Sequence, residues 1–151
     1  MSEQQANNQA QFALQRIFVK DVSFESPKSP EVFRAQWQPK VNLEINSSHK
    51  NLEDDLYQVT LQVTVTARDE ADEVVYLTEI QQAGIFLIKG LEAEPLLQTL
   101  GAFCPSVLFP YAREAVDGLV VKGSFPPLML APVNFDAIYE QSRQKREEST
   151  H

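Results

Sequence analysis

The chain predicts an α+β domain, with strands confined to roughly its first ninety residues and helices to the remainder. Three observations carry that prediction. Tyr57, Val59, Leu61, Val63, Val65 and Ala67 alternate strictly with Gln58, Thr60, Gln62, Thr64 and Thr66, the period-two pattern of a half-buried antiparallel strand. Leu108, Ala112, Ala115 and Leu119, joined by Val116 and Val120, repeat instead at helical spacing. Gly90 divides the two regimes.

Each element follows from its own residues. Residues 1–11 are polar and predict a disordered arm, ahead of one domain over 12–143. Residues 12–25 form a strand whose apolar phase changes twice: Phe12 and Leu14 share one parity, Ile17 and Val19 the other, and Val22 and Phe24 return to the first. Each change calls for a bulge or a buried second face. In the last stretch, Val22 and Phe24 face one way while Asp21, Ser23 and Glu25 face the other. Residues 26–39 are a long connection holding Pro27, Pro30, Pro39 and the only tryptophan, Trp37. Val41, Leu43 and Ile45 alternate as a second strand, joined to residues 57–67 by a longish polar loop over 47–55. An acidic turn, 68–73, leads into a fourth strand over 74–88. There Leu77 and Glu79 share a face, and Gly84 suggests a bulge.

Beyond Gly90, residues 92–100 read as a short helix. The run from Phe103 to Arg113 packs aromatic and aliphatic residues around Pro105 and Pro110. It is read as a bent apolar lead-in with a groove beside it, or as a packed helix start with Pro105 near its first position. The helix that follows ends at Gly123. After a proline-broken stretch over 125–132, Asn134 caps a last helix that docks through Phe135, Ile138 and Tyr139. Residues 144–151 are expected to be a flexible polar tail.

Composition narrows the function. The 151 residues carry 21 acidic and 13 basic side chains, a net charge of −8, which opposes nucleic-acid binding. No apolar stretch approaches a membrane span, the first residues lack a signal-peptide core, and a lone cysteine, Cys104, suits a reducing compartment. A cytoplasmic location is expected. The catalytic inventory is thin. With two histidines, His49 and His151, no ligand set has metal-binding spacing. A Cys104–His49 dyad is a remote reading, because a thiol before a proline in an apolar run usually packs as a small hydrophobe. What stands out is apolar surface in three proline-broken segments, around Phe33 and Trp37, around Phe109 and Tyr111, and around Phe125 and Leu128. They are ordinary core, an oligomer interface, or a groove for apolar peptide.

The chain resembles SecB, the bacterial export chaperone family, over residues 12–139. The resemblance rests on the runs Gln15-Arg16-Ile17, Lys20-Asp21-Val22-Ser23-Phe24-Glu25 and Trp37-Gln38-Pro39. It rests further on Glu79-Ile80-Gln81-Gln82-Ala83-Gly84-Ile85-Phe86, Leu108-Phe109-Pro110-Tyr111-Ala112-Arg113-Glu114 and Leu130-Ala131-Pro132-Val133-Asn134-Phe135-Asp136. It implies a four-stranded antiparallel sheet with helices on one face, assembled as a dimer of dimers. It implies no catalysis, no metal and no cofactor. The implied role is ATP-independent holding of unfolded secretory precursors, with delivery to the translocation ATPase SecA. An alternative within the family is a chaperone dedicated to another client, such as an antitoxin.

By the same resemblance, Phe33, Trp37, Phe109, Tyr111, Phe125 and Leu128 line the peptide groove. Asp21, Glu25, Leu77 and Glu79 meet the basic, zinc-bearing tail of SecA. Thr78, Ile80 and Gln82 mark the tetramer interface. No nucleic-acid partner and no membrane insertion are implied. The tail after Tyr139 departs from the family pattern and carries Arg143, Lys145 and Arg146.

Overall fold

The structure, a computed structural model, describes residues 9–149. The described residues form one antiparallel sheet of β1 (Gln11–Glu25), β2 (Lys40–Glu53), β3 (Leu56–Arg68) and β4 (Val74–Lys89), in the spatial order β1-β4-β3-β2. Helices α1 (Ala93–Gln98), α2 (Cys104–Lys122) and α3 (Phe135–Ser149) follow, so strands and helices segregate along the chain as expected.

The phase changes of β1 are bulges. The β1–β4 register shifts between Leu14 and Arg16 and again between Val19 and Asp21. Each shift absorbs one residue, Gln15 then Lys20, and restores parity. Phe12, Leu14, Ile17, Val19, Val22 and Phe24 therefore share one face, opposite Ile88, Phe86, Gly84, Gln82, Ile80 and Thr78. No bulge occurs at Gly84, contrary to expectation: both ladders run unbroken through it, pairing it with Ile17 and Val59. Glycine is there because the helix layer comes close. A Cβ at that position would lie 3.0 Å from Phe86 Cε2, 3.1 Å from Leu108 Cδ2 and 3.2 Å from the Arg16 carbonyl oxygen.

The β2–β3 connection is also tighter than expected. Both strands continue through the polar stretch 47–53, and the turn is Asp54-Asp55, with Asp54 at φ 46°. An edge strand with both faces largely solvated needs no apolar alternation, which is why the second half of β2, 47–53, reads as loop.

The core lies between the sheet and α2. Val59, Leu61, Val63, Val65 and Ala67 of β3 are fully buried, as are Ile80 and Phe86 of β4 and Leu108, Ala112, Val116 and Val120 of α2. The proline-rich run is a packed helix start, not a bent lead-in flanked by a groove. A π turn, Thr99–Phe103, precedes α2, with the Cys104 amide bonded to the Thr99 carbonyl, and Pro105 sits in the first turn. Pro110 lies inside α2 on its exposed side.

Cys104 is fully buried, and burial pushes its thiol pKa up to about 12. A thiol so held is no nucleophile at neutral pH, which removes the Cys104–His49 reading. We expect no reaction with a water-soluble thiol reagent at pH 8 in the folded protein and one equivalent after denaturation. Rapid labelling of the native chain would contradict the packing.

The last helix docks through Phe135 and Tyr139, both buried, while Ile138 is 39% exposed and does not. Asn134 Oδ1 accepts from the Ala137 amide at 3.0 Å, the expected cap. Tyr139 covers Gly101, where a Cβ would lie 2.7 Å from the Tyr139 ring, and its hydroxyl donates to the Glu94 carboxylate. The helix runs on to Ser149, into the segment 144–151 assigned above to a tail. Arg143 pairs with Glu140 and Glu147 at i,i+3 and i,i+4, local support that composition does not reveal. The arm assigned to 1–11 lies outside the described residues up to 8, and β1 already begins at Gln11.

Candidate functional site

Two surfaces stand out, one on each side of the sheet. On the helix side, residues 26–39 cross from β1 to the far edge strand β2, with a 3-10 turn over Glu31–Arg34. Lys28 anchors the start of the crossing. Its ammonium pairs with Asp69 at 2.7 Å and also with Glu73, both in the β3–β4 turn. Asp69 Oδ1 accepts from the amides of Ala71 and Glu73 as well. The hydrogen bond to Asp69 chiefly raises the Lys28 pKa, and its partner's is lowered by the same bond. The acidic turn is therefore a socket for the crossover and not only a solvated loop.

Beyond that anchor the crossover rests on aromatic rings. Phe125 is buried, with its centroid 5.3 Å from Phe33, 6.2 Å from Trp37 and 4.8 Å from Tyr76. These rings, with Val32, Pro126, Pro127 and Leu128, line an open groove of about 450 Å³. Phe33 is 48% exposed there. Burial, and secondarily the Asp117 carboxylate, raise the Tyr76 phenol above its ordinary value.

Four of the six groove residues expected from sequence thus meet: Phe33, Trp37, Phe125 and Leu128. The other two do not. Phe109 is 5% exposed, packed edge-on against Phe135 at 5.8 Å with the Arg113 guanidinium 6.0 Å over its ring. Tyr111 is exposed but does not line that groove. Phe109 falls seven and eleven residues before Val116 and Val120, within the buried arc of α2, so helical spacing carries the signal of its core position. Tyr76, which sequence reasoning missed as a groove residue, shares the parity of Thr78 and Ile80.

Among the described residues, no helix lies over the opposite face of the sheet. Register places Glu25 opposite Leu77, Ser23 opposite Glu79 and Asp21 opposite Gln81. Asp21, Glu25, Leu77 and Glu79 therefore share this outer face, on two adjacent strands. Asp21 and Glu25 are exposed; Leu77 and Glu79 are half-buried. Gln62 Nε2 donates to Glu79, and Thr64 Oγ1 approaches the same oxygen at 3.5 Å. Lys20 and Lys50 lie on this face too, around a polar hollow with Gln58, Thr60, Gln62 and Gln81. Asp21, Glu25 and Glu79 gather toward one end of this face, and Glu53, Asp54 and Asp55 stand at the other, around Leu87 and Lys89.

The residues expected at the interface between copies lie deep in the chain. Thr78, Ile80 and Gln82 are 0%, 0% and 3% exposed, inside the chain's own core. Their side chains share the face of the sheet that the helices cover. Thr78 Oγ1 donates to the Ser23 carbonyl at 2.9 Å, and Gln82 Nε2 to the Phe18 carbonyl at 3.0 Å, tying β4 to β1. The accessible apolar residues are on β1 itself: Leu14, Val19 and Val22 are 38%, 49% and 48% exposed. Among the described residues no group of three or more His, Cys, Asp or Glu side chains is placed to hold a metal ion, and no helix is long and apolar enough to cross a membrane.

Comparison with known proteins shows the family and the fold. The family described as preprotein translocase subunit SecB matches residues 5–146. A protein-export protein SecB of Marinobacter nauticus is 61% identical over 141 residues, covering 93% of this chain and 85% of the relative. One from Stutzerimonas stutzeri is 63% identical over 132 residues, covering 87% and 80%. In fold, the chain is similar to the Mycobacterium tuberculosis SecB-like chaperone, solved in complex with a ChAD peptide from the HigA1 antitoxin. The TM-score is 0.66 at 19% identity, over 81% of this chain and 90% of that one.

Proposed function

The chain belongs to the SecB family of preprotein translocase subunits, and from that premise we propose how its two surfaces divide the work of an export chaperone. The protein is a chaperone of protein export. The groove of Phe33, Trp37, Tyr76, Phe125 and Leu128 takes apolar segments of unfolded precursors, reversibly and without ATP. The observation that carries this reading is an aromatic trough left open in a chain with a well-filled core beside it.

Holding works by mass action. A chaperone present at about a hundred times its Kd lowers the free unfolded population about a hundredfold, and folding slows in proportion. No catalytic group takes part, and the protein acts in the cytoplasm. The acidic end of the outer face, Asp21, Glu25, Leu77 and Glu79, meets the basic zinc-bearing tail of SecA for delivery; the zinc belongs to that partner. The chain assembles as a homotetramer, four chains of 17.1 kDa or about 68 kDa. Leu14, Val19 and Val22 offer apolar surface for that assembly, and Thr78, Ile80 and Gln82 serve it from beneath by holding β1 in place. Identity near 60% with export chaperones favours this role over a chaperone dedicated to an antitoxin; binding to SecA separates the two.

The test is refolding of a denatured, slow-folding precursor without nucleotide, with and without equimolar tetramer. We expect arrest of refolding, a complex built on a carrier of about 68 kDa, and a shift in Trp37 fluorescence as the client covers the indole. Unaltered refolding would refute the holding role, and an unshifted spectrum alongside arrest would move the client away from Trp37.

A further inference from the structure

One wall of the aromatic groove is hydrogen-bonded to a helix carboxylate, Asp117. The segment 124–134 between α2 and α3 contains Pro126, Pro127 and Pro132, which donate no backbone hydrogen bond. It also holds two residues in the left-handed region, Ser124 at φ 68° and Met129 at φ 52°, a conformation that side chains with a Cβ resist. Its first amides turn back onto the helix end: Ser124 donates to the Val121 carbonyl at 2.9 Å and Phe125 to the Val120 carbonyl at 3.1 Å. Farther along, Leu128 donates its amide to Asp117 Oδ1 at 2.9 Å, and Met129 donates to the same oxygen at 3.4 Å.

Asp117 is poorly suited to where it stands. It occupies the second half of α2, where aspartate has low helix propensity and a carboxylate lies toward the negative end of the helix dipole. The residue thus works against its own helix while supplying the acceptor that two loop amides share. Those amides belong to the stretch that faces the groove, because Pro126, Pro127 and Leu128 form its wall opposite Phe33 and Trp37. Phe125, next in the chain, meets Tyr76 and both crossover rings.

We infer that Asp117 is a positioning residue that pins the 126–129 wall through the amides of Leu128 and Met129, and so sets the width of the groove and its affinity for apolar chain. The inference rests on the reading of this groove as the client site. With the wall pinned, a client meets a preformed trough; without the clasp, binding must also order the loop. The crossover wall has its own clasp, Lys28 in the Asp69 and Glu73 socket, so each wall is held from outside the groove.

The test compares full-length Asp117→Ala and Asp117→Asn with the unmodified chain. The probe is a small disulfide protein, reduced and carboxymethylated so that it stays unfolded. For Asp117→Ala we expect Kd to rise about tenfold, the loss typical of one charge-assisted hydrogen bond. Amide exchange at Leu128 and Met129 should accelerate. The melting temperature should change little, since the better helix propensity of alanine offsets part of what the lost loop bonds contribute. Asp117→Asn keeps an Oδ1 acceptor and should recover most of the affinity and the protection.

Unchanged affinity or unchanged exchange in Asp117→Ala overturns the inference, and so does a fall in melting temperature with Leu128 and Met129 still protected. Phe33→Ala, measured alongside, separates the two layers of the argument. If it weakens the probe and Asp117→Ala does not, the clasp alone is wrong. If neither matters, the groove is not the client site.

Discussion

Reversing two carboxylates, Asp21→Lys with Glu25→Lys, is expected to weaken binding to SecA about a hundredfold while leaving arrest of precursor refolding intact. The change is large because it alters the acidic end of the outer face by four charge units. Asp21 and Glu25 are exposed on β1, and Glu79 stands on the neighbouring strand opposite Ser23. A basic partner that found attraction there would meet like charge, which costs several kcal/mol, and about 3 kcal/mol is a factor of about 100. The fold should be untouched, since neither side chain joins the core. Attraction between exposed charges is screened over about 8 Å at physiological salt, so the unmodified pair should also weaken as salt is raised. The check is titration of SecA in parallel with the refolding assay. Equal loss of both activities would show that the outer face is not a separate docking surface.

The second large effect concerns stability. Gly84→Val is expected to destabilise the folded chain by about 2–3 kcal/mol, with Gly84→Ala distinctly milder. Gly84 is buried, and a single Cβ already falls within 3.0–3.2 Å of the Phe86 ring, the Leu108 side chain and the Arg16 backbone. Two further methyl groups can be seated only by lifting α2 or distorting β1 near its bulge. For a chain of this length about 1 kcal/mol corresponds to 2–4 °C, so the melting temperature should fall by roughly 4–12 °C. Comparison at one protein concentration holds the contribution of assembly fixed. A valine tolerated without loss would mean that the helix layer does not approach Gly84 as closely as described.

These expectations draw on different depths of information. The acidic face was legible in the chain because strand parity is local: Asp21, Ser23 and Glu25 share a side wherever that strand lies, as do Leu77 and Glu79. Register then brought the two groups together. The bulges in β1 were legible for the same reason, as two breaks in parity over fourteen residues. Their position relative to Gly84 was not, since a close approach between layers leaves no periodic trace.

Parity says which residues share a side and nothing about what covers that side. Thr78, Ile80 and Gln82 share one side of β4 by parity, and only the fold shows that the chain itself buries that side. Phe109 and Tyr111 were grouped as groove residues, yet one is core and the other lies away from the groove. The Asp117 clasp spans eleven residues and joins a helix to an irregular loop, an arrangement that no repeat announces.

By itself, then, the sequence determined the segregated α+β order, the strand phases, the acidic outer face and the family. Those are carried by near neighbours and by runs of identical residues. Only the tertiary structure decided which rings form the groove, which buried polar groups tie β1 to β4, and what holds the groove's walls. Those depend on long-range contacts, where the winning partner for an apolar ring is set by the shape of the space around it and not by its own chemistry.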